Sequence, residues 1–267
     1  MSRENEQKYQ RNNPKIDLPP GEQIEGRNPL HEALRAGRKV KQLFILNRAD
    51  KAPGTDPLGK LARQSRDSGA RVFYVDRAQL DSIAISNAHQ GVIAIVEEYK
   101  YADLDAVLQA EKKAGTSPFL IFLDNLQDAH NLGAILRIAD GAGVSAVVIP
   151  KHRSVSLSAV VAKTSAGAIE YVPVCQVGNL TQTVLRLKDE GFWVYGTTDA
   201  ARDKYYDVDW QGKVALIIGS EGKGIGEKLL NHCDFQIVIP QRGKINSLNA
   251  SVACGIITFE AMRQRGF

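Results

Sequence analysis

The sequence predicts an α/β protein, with a parallel sheet covered by helices on both faces and a smaller α/β/α unit ahead of it. Two observations carry that prediction. From residue 24 onward, short apolar runs of strand length alternate with stretches whose apolar residues recur at helical spacing. The runs at 214–218 and 237–239 are continuously apolar and bounded by glycine and proline, as strands buried on both faces are.

In chain order, residues 1–21 are polar, contain Pro14, Pro19 and Pro20, and offer little to bury, so a disordered tail is expected. The first domain is expected at 22–98. Asn28-Pro29 opens a helix with Leu30, Ala33 and Leu34 on one face, because proline suits the first helical turn. A strand at 43–46, a helix at 58–68 ending at Gly69, a strand at 72–75, a short helix at 77–83 and a strand at 92–96 follow. Arg35, Arg38, Lys39 and Lys41 cluster beside a turn, where they suit either phosphate contacts or an ordinary solvated surface. His89 reads as structural.

Residues 99–117, acidic and then basic, place Leu104, Val107 and Leu108 at helical spacing and read as a linker helix ending near Gly115. The second domain, 118–267, opens with a strand at 119–123. It runs into Asp124-Asn125-Leu126-Gln127-Asp128-Ala129-His130-Asn131, then a helix, then a strand at 146–149. Asn131 suits a helix cap, with Arg137 nearly two turns on. Strands at 171–174 and 193–197 precede the two apolar runs. The chain closes on a helix in which Leu248, Val252, Ile256 and Phe259 recur at helical spacing, with Ala253 and Ile257 beside them.

Composition bounds the function. At 267 residues, 43% hydrophobic and 24% charged, the chain can bury a sizeable core in one or two domains. No apolar run approaches the roughly 18 residues of a membrane helix, and the N-terminus lacks a secretory apolar region. Cys175, Cys233 and Cys254 are an odd set without C-x-x-C spacing, which points to a reducing cytoplasm and away from a bound metal; Cys254 reads as core. The net charge of +4 permits a nucleic-acid partner without announcing one.

The chemistry concentrates in two loops. The strand at 214–218 runs into Gly219-Ser220-Glu221-Gly222-Lys223-Gly224, whose glycines permit positive φ and close backbone approach to a ligand. The second strand stops at Pro240 and leads to Asn246-Ser247-Leu248-Asn249, residue types that cap helices. Each loop alone also suits an ordinary βα turn; the pair at consecutive strand ends favours a ligand site. Gly224 is followed by Ile225 and Gly226, not by Lys-Ser/Thr, so the loop is no Walker A. The even spacing of Gly222, Gly224 and Gly226 is not the Rossmann pattern either.

These two stretches resemble motifs two and three of the SpoU/TrmH family of SPOUT RNA methyltransferases. The second motif matches Gly219 to Gly224; the third runs from Ile239-Pro240 through Ser247-Leu248-Asn249 to Ala253. The segment from Asn131 through Gly133 to Arg137 is similar to the first motif, N-x-G-x-x-x-R, so all three stand in family order. Residues 22–98, including His89-Gln90-Gly91-Val92, resemble the L30e-like domain that precedes the catalytic domain in many members and is thought to bind RNA. The resemblance covers about 24–265. It is closest to bacterial enzymes that methylate a guanosine 2′-hydroxyl in 23S rRNA; Ala129, Gln241-Arg242 and Ala250 depart from the usual pattern and bear on the RNA target.

The resemblance implies S-adenosylmethionine (SAM) as cofactor and a homodimer through the knot region. The implied catalytic domain carries a deep trefoil knot formed by the loops around Gly219–Gly224 and 239–249, with cofactor contacts from the backbone of Gly219, Ile239 and Leu248. It makes Arg137 the central catalytic residue, with Ser247 and Asn249 orienting ribose or Arg137. Asn131 and Glu221 would hold the loops or the dimer contact. A guanidinium does not readily deprotonate, so a charged Arg137 that binds phosphate and stabilises alkoxide is favoured, with RNA phosphate or water taking the proton. His130 has a suitable pKa for a base but is expected to play a supporting part. Two other readings stay open: a tRNA 2′-O-methyltransferase with the same motifs, and a non-catalytic ribosome- or RNA-binding factor.

Overall fold

The computed structural model describes residues 16, 18–47, 56–86, 88–243 and 247–266, arranged as two compact units that divide between Tyr99 and Lys100. Most of the expected N-terminal tail, residues 1–15 and 17, lies outside the described residues, as does Asn246.

The first unit holds β1 (Glu22–Glu25), α1 (Arg27–Arg35), β2 (Val40–Leu46), α2 (Pro57–Asp67), β3 (Arg71–Val75), α3 (Arg77–Ile83) and β4 (Val92–Val96). Its sheet runs β1-β4-β2-β3, with β2 and β3 parallel and the other pairs antiparallel. The central strand β4, Val-Ile-Ala-Ile-Val, is buried along its whole length because both faces are covered. Ile24, Leu30, Leu43, Ile45 and Leu61 pack on one side. Phe44, Val75, Leu80, Ile93 and Ile95 pack on the other. This is the expected three-layer unit, with β1 as an addition that the polar sequence Glu-Gln-Ile-Glu concealed. Asp56 and Asp76 cap α2 and α3, the latter in a full capping box with Gln79.

The second unit contains α4 (Leu104–Ala114), β5 (Phe119–Asp124), α5 (Ala129–Gly141), β6 (Ala146–Pro150), α6 (Ala159–Thr164) and β7 (Val174–Val177). It continues with α7 (Leu180–Asp189), β8 (Phe192–Thr197), β9 (Asp203–Lys204), β10 (Lys213–Gly219), α8 (Glu227–Leu230), β11 (Phe235–Val238) and α9 (Ala250–Gln264). Seven strands in the order β7-β6-β5-β10-β8-β11-β9 form a sheet whose pairs are all parallel. One face is covered by α4, α7 and α8 through Leu104, Val184, Leu187 and Leu229. On the other, α5 lies against α6 and α9, and α9 reaches β10.

The segment at 99–117 holds the expected helix, ended at Gly115, and it is joined to the second unit: Ala102 donates its N–H to the Val174 carbonyl at 2.8 Å and Leu104 is buried in that unit's core. Two expectations change here. The strand expected at 171–174 starts only at Val174. Before it, Tyr171 and Val172 bond back to the Ala168 carbonyl in a 3₁₀ turn, and Pro173 has no N–H for a ladder. The cap of α5 is Asp128, which accepts from His130 N–H at 2.9 Å, so Asn131 sits inside the first turn with its amide free for other work.

Candidate active site

Because the second sheet is wholly parallel, the ends of β8, β10 and β11 open on the same edge, where α/β sheets place their ligand crevices. A cavity of about 480 Å³ lies there, lined by Thr197, Thr198, Asp199, the whole Gly219–Gly224 loop, Ile239, Gln241, Ser247 and Leu248. Ile218, Ile225, Leu230, Ile237 and Ile257 supply its apolar walls.

The loop after β10 is a closed hairpin. Ser220 N–H donates to Gly224 O at 3.2 Å and Gly224 N–H returns to Ser220 O at 2.9 Å. Positive φ at Gly222 (83°) and Gly224 (64°) makes that turn possible. Gly219 has a different constraint: a Cβ there would stand 2.2 Å from Gly224 C and 2.4 Å from Ile225 N. Its missing side chain therefore makes room for the protein's own hairpin. The hairpin is also held from β5: the buried Asp124 carboxylate accepts from Gly226 N–H at 2.8 Å and from Asn125 Nδ2 at 2.7 Å.

The three sequence motifs meet in one network. Asn131 Nδ2 donates to Glu221 Oε1 at 2.8 Å, and Asn249 Nδ2 donates both to that oxygen, at 2.6 Å, and to Asn131 Oδ1, at 2.9 Å. The other end of the Asn249 amide caps α9, its Oδ1 accepting from Ser251 N–H at 2.9 Å and Val252 N–H at 3.3 Å. Both ends of the Asn249 side-chain amide thus help fix where α9 begins relative to α5 and the hairpin. Gly133, the glycine of the first motif, allows α6 to close on α5: a Cβ would lie 1.8 Å from Thr164 Oγ1.

Gly219, Glu221, Ile239, Ser247 and Leu248 therefore gather at one cavity, with Asn131 and Asn249 bonded to Glu221 beside it. Arg137 is not among the lining residues; it is exposed on α5, and neither it nor the exposed His130 side chain has a hydrogen-bond or ion-pair partner among the described residues. Sequence reasoning passed over Asp124 and the 197–200 segment; an acidic residue closing an apolar strand was the available signal for the first.

Two family models divide the chain as the two units do. The SpoU rRNA methylase family matches residues 118–259, and an RNA 2′-O ribose methyltransferase substrate-binding domain matches 23–102. The chain belongs to the SpoU methylase family. A Bacillus subtilis protein named YacO, assigned to the TrmH family of tRNA/rRNA methyltransferases, is 42% identical to this SpoU methylase over 240 residues, 90% of this chain and 94% of its own. An S-adenosylmethionine-bound rRNA methyltransferase from Sinorhizobium meliloti shares the fold with a TM-score of 0.73 and 26% identity, over 90% of this chain and 86% of its own. The SpoU methyltransferase AviRb from Streptomyces viridochromogenes, solved with the same cofactor, has a TM-score of 0.74 at 23% identity, over 91% and 90% of the two chains. Among the described residues no helix is long and apolar enough to cross a membrane, and no cluster of His, Cys, Asp or Glu suits a metal ion.

Proposed function

We propose that this SpoU methylase transfers a methyl group from SAM to a ribose 2′-hydroxyl of 23S rRNA, most simply a guanosine. The observation that carries the reading is the Asn131–Glu221–Asn249 network, which joins all three motifs at the rim of one cavity. The cavity fits the cofactor: about 480 Å³ is within the roughly 300–1,000 Å³ of small-molecule sites, with apolar walls for a purine and backbone groups at Gly219, Ile239 and Leu248 to orient it. When bound, SAM supplies a methyl group activated by its sulfonium.

The residues supply position and charge. The hairpin and the Leu248 loop hold the cofactor, and Ser247, on the same rim, orients the ribose. Arg137 keeps its positive charge, grips the adjacent phosphate and stabilises the alkoxide as it forms, while phosphate or water accepts the proton. A homodimer belongs to this reading. Along α9, Val252 (50% exposed), Ile256 and Phe259 (52% exposed) make an apolar stripe that continues from Leu248, an area a second copy of the chain would cover. Because α9 lies beside α5, such a dimer carries Arg137 to the boundary between protomers. The trefoil knot formed by the two cavity loops is part of the same proposal.

Support for rRNA comes from the family description of the catalytic unit and from the rRNA methyltransferase neighbour that spans both units. The test is to map 2′-O-methylation in total RNA with and without the gene. Loss of a single 23S rRNA methyl is expected, and loss confined to tRNA would overturn the rRNA assignment. SAM binding by calorimetry separates the enzyme from a non-catalytic factor.

A further inference from the structure

We infer that the loop after β6, through Lys151 and Arg153, is a phosphate-binding track that holds the RNA nucleotides flanking the methylated ribose. The inference rests on the RNA methyltransferase reading and adds a surface to it.

Position is the first observation. Gly219 at the end of β10 stands opposite Asp124 at the end of β5. Phe122 of β5 stands opposite Val148 of β6, and two residues further along each strand lie Asp124 and Pro150. Pro150 is therefore level with the cofactor cavity and two strands away, roughly 10 Å at the usual strand spacing. Lys151, His152 and Arg153 follow it, all exposed. An RNA chain whose ribose reaches the cavity at Gly219 passes over or beside this edge.

Charge is the second. None of these three side chains has a hydrogen-bond or ion-pair partner among the described residues. The cations singled out in the first unit differ. Arg38 lies over the Tyr99 ring at 3.3 Å, Lys41 donates to Pro20 O at 2.6 Å, and Arg35 and Lys39 face Glu32 and Glu97. Asp124 accepts from Gly226 and Asn125, Asp128 caps its helix and Glu221 accepts from two side-chain amides; none of them pairs with Lys151 or Arg153. Asp199, an acid of the same edge, belongs to the loop after β8, on the far side of β10. The loop therefore offers two exposed cations that no carboxylate pairs with among the described residues, which suits phosphate.

Order is the third. The loop is pinned at both ends, by Lys151 N–H to Val177 O and by Val155 N–H to Leu126 O, each at 2.9 Å. Arg153 is held left-handed at φ 60°, a conformation that non-glycine residues rarely adopt. The side chains therefore leave a fixed platform, which lowers the ordering cost of binding.

The test is fluorescence anisotropy across a KCl series, with a labelled unmethylated 23S rRNA transcript as one probe and bulk tRNA as the other. The double variant Lys151→Gln/Arg153→Gln should bind its RNA roughly tenfold more weakly. Its slope of log K against log salt should be shallower by about 1.4, the loss of two phosphate contacts on a single strand. SAM affinity by calorimetry and methyl transfer at saturating RNA should stay at parental levels. The charge-keeping pair Lys151→Arg/Arg153→Lys should restore the slope. Each single glutamine substitution should show about half the slope change, which keeps the test open if the double variant folds poorly. Unchanged affinity and slope on an RNA that the parent binds would overturn the inference and leave the loop to a protein partner or to solvent. An equal loss in the charge-keeping pair would overturn it too. A parent that binds neither RNA would instead sink the methyltransferase reading itself.

Discussion

At the residue scale, Arg137 and Asn249 do different kinds of work. Arg137 is exposed and unpaired among the described residues, so its removal leaves no buried group unsatisfied. Arg137→Ala should therefore keep the fold and the SAM affinity while losing turnover by about a hundredfold or more, the effect of deleting one electrostatic donor of about 3 kcal/mol. Arg137→Lys should rescue little, since an ammonium lacks the planar fork. His130→Ala should retain most activity across pH; a severe defect with loss of a pKa near neutrality would make His130 the base instead. Single-turnover methyl transfer measured for each variant decides.

Asn249→Asp keeps the cap acceptor but turns the 2.6 Å donor to Glu221 into a second carboxylate. Like charges at that separation raise one pKa strongly, so the variant should lose SAM affinity at neutral pH and regain part of it as pH falls far enough to protonate one carboxyl. Equal SAM affinity at all pH values would show that the network does not shape the cavity. The thiols add a control. Burial pushes Cys233 and Cys254 up to about 12, so both stay protonated in the native protein at pH 8 and should alkylate slowly with iodoacetamide until it unfolds. The sign follows: an unfolded thiol near 9 ionises first, so stability is unaffected below pH 9 and falls as pH rises from there towards 12.

At the scale of elements, glycines set how closely helices and loops approach. Gly133→Ala places a Cβ 1.8 Å from Thr164 Oγ1 and 2.9 Å from Ser165 N, so α5 and α6 must separate. A loss of about 1–3 kcal/mol is expected in denaturant melts. Adding Thr164→Ala should recover only part of it, because the Ser165 backbone and the residue-164 Cβ remain. Full recovery would mean that the hydroxyl was the whole obstacle. At Gly219 the obstacle is the Gly224–Ile225 backbone, so Gly219→Val should displace the hairpin and weaken SAM binding through the protein's own chain.

At the scale of the whole molecule, the boundary between the units decides which fragments are informative. A fragment starting at Lys100 keeps Ala102 on β7 and Leu104 in the core, whereas one starting near Ser117 removes both. The longer fragment should melt higher than the shorter and bind SAM. If residues 22–98 select the RNA, it should methylate RNA poorly; unchanged site choice would exclude that role. Phe259→Glu should convert a dimer to monomer in sedimentation equilibrium and abolish turnover, while a protein that sediments as a monomer before mutation would end the dimer proposal.

The strands at 119–123 and 214–218 were legible because parallel strands buried on both faces need unbroken apolar runs, a demand written locally in the chain. The motif residues were legible for a related reason: polar and glycine residues crowd the strand ends where such sheets hold ligands. Local pattern cannot rank competing partners for a side chain, however. Asn131 looked like a cap and is an amide bridge, because Asp128 reaches the helix N-terminus first. An added side chain at Gly219 would meet the hairpin, and Arg38, which suited either phosphate or a solvated surface, lies on Tyr99. The order β10-β8-β11 and the distance of each loop from the cavity also lay beyond the sequence. Strand formation depends on a few neighbouring residues; which groups meet depends on contacts such as 131 with 221 and 249, set only when the whole sheet has closed.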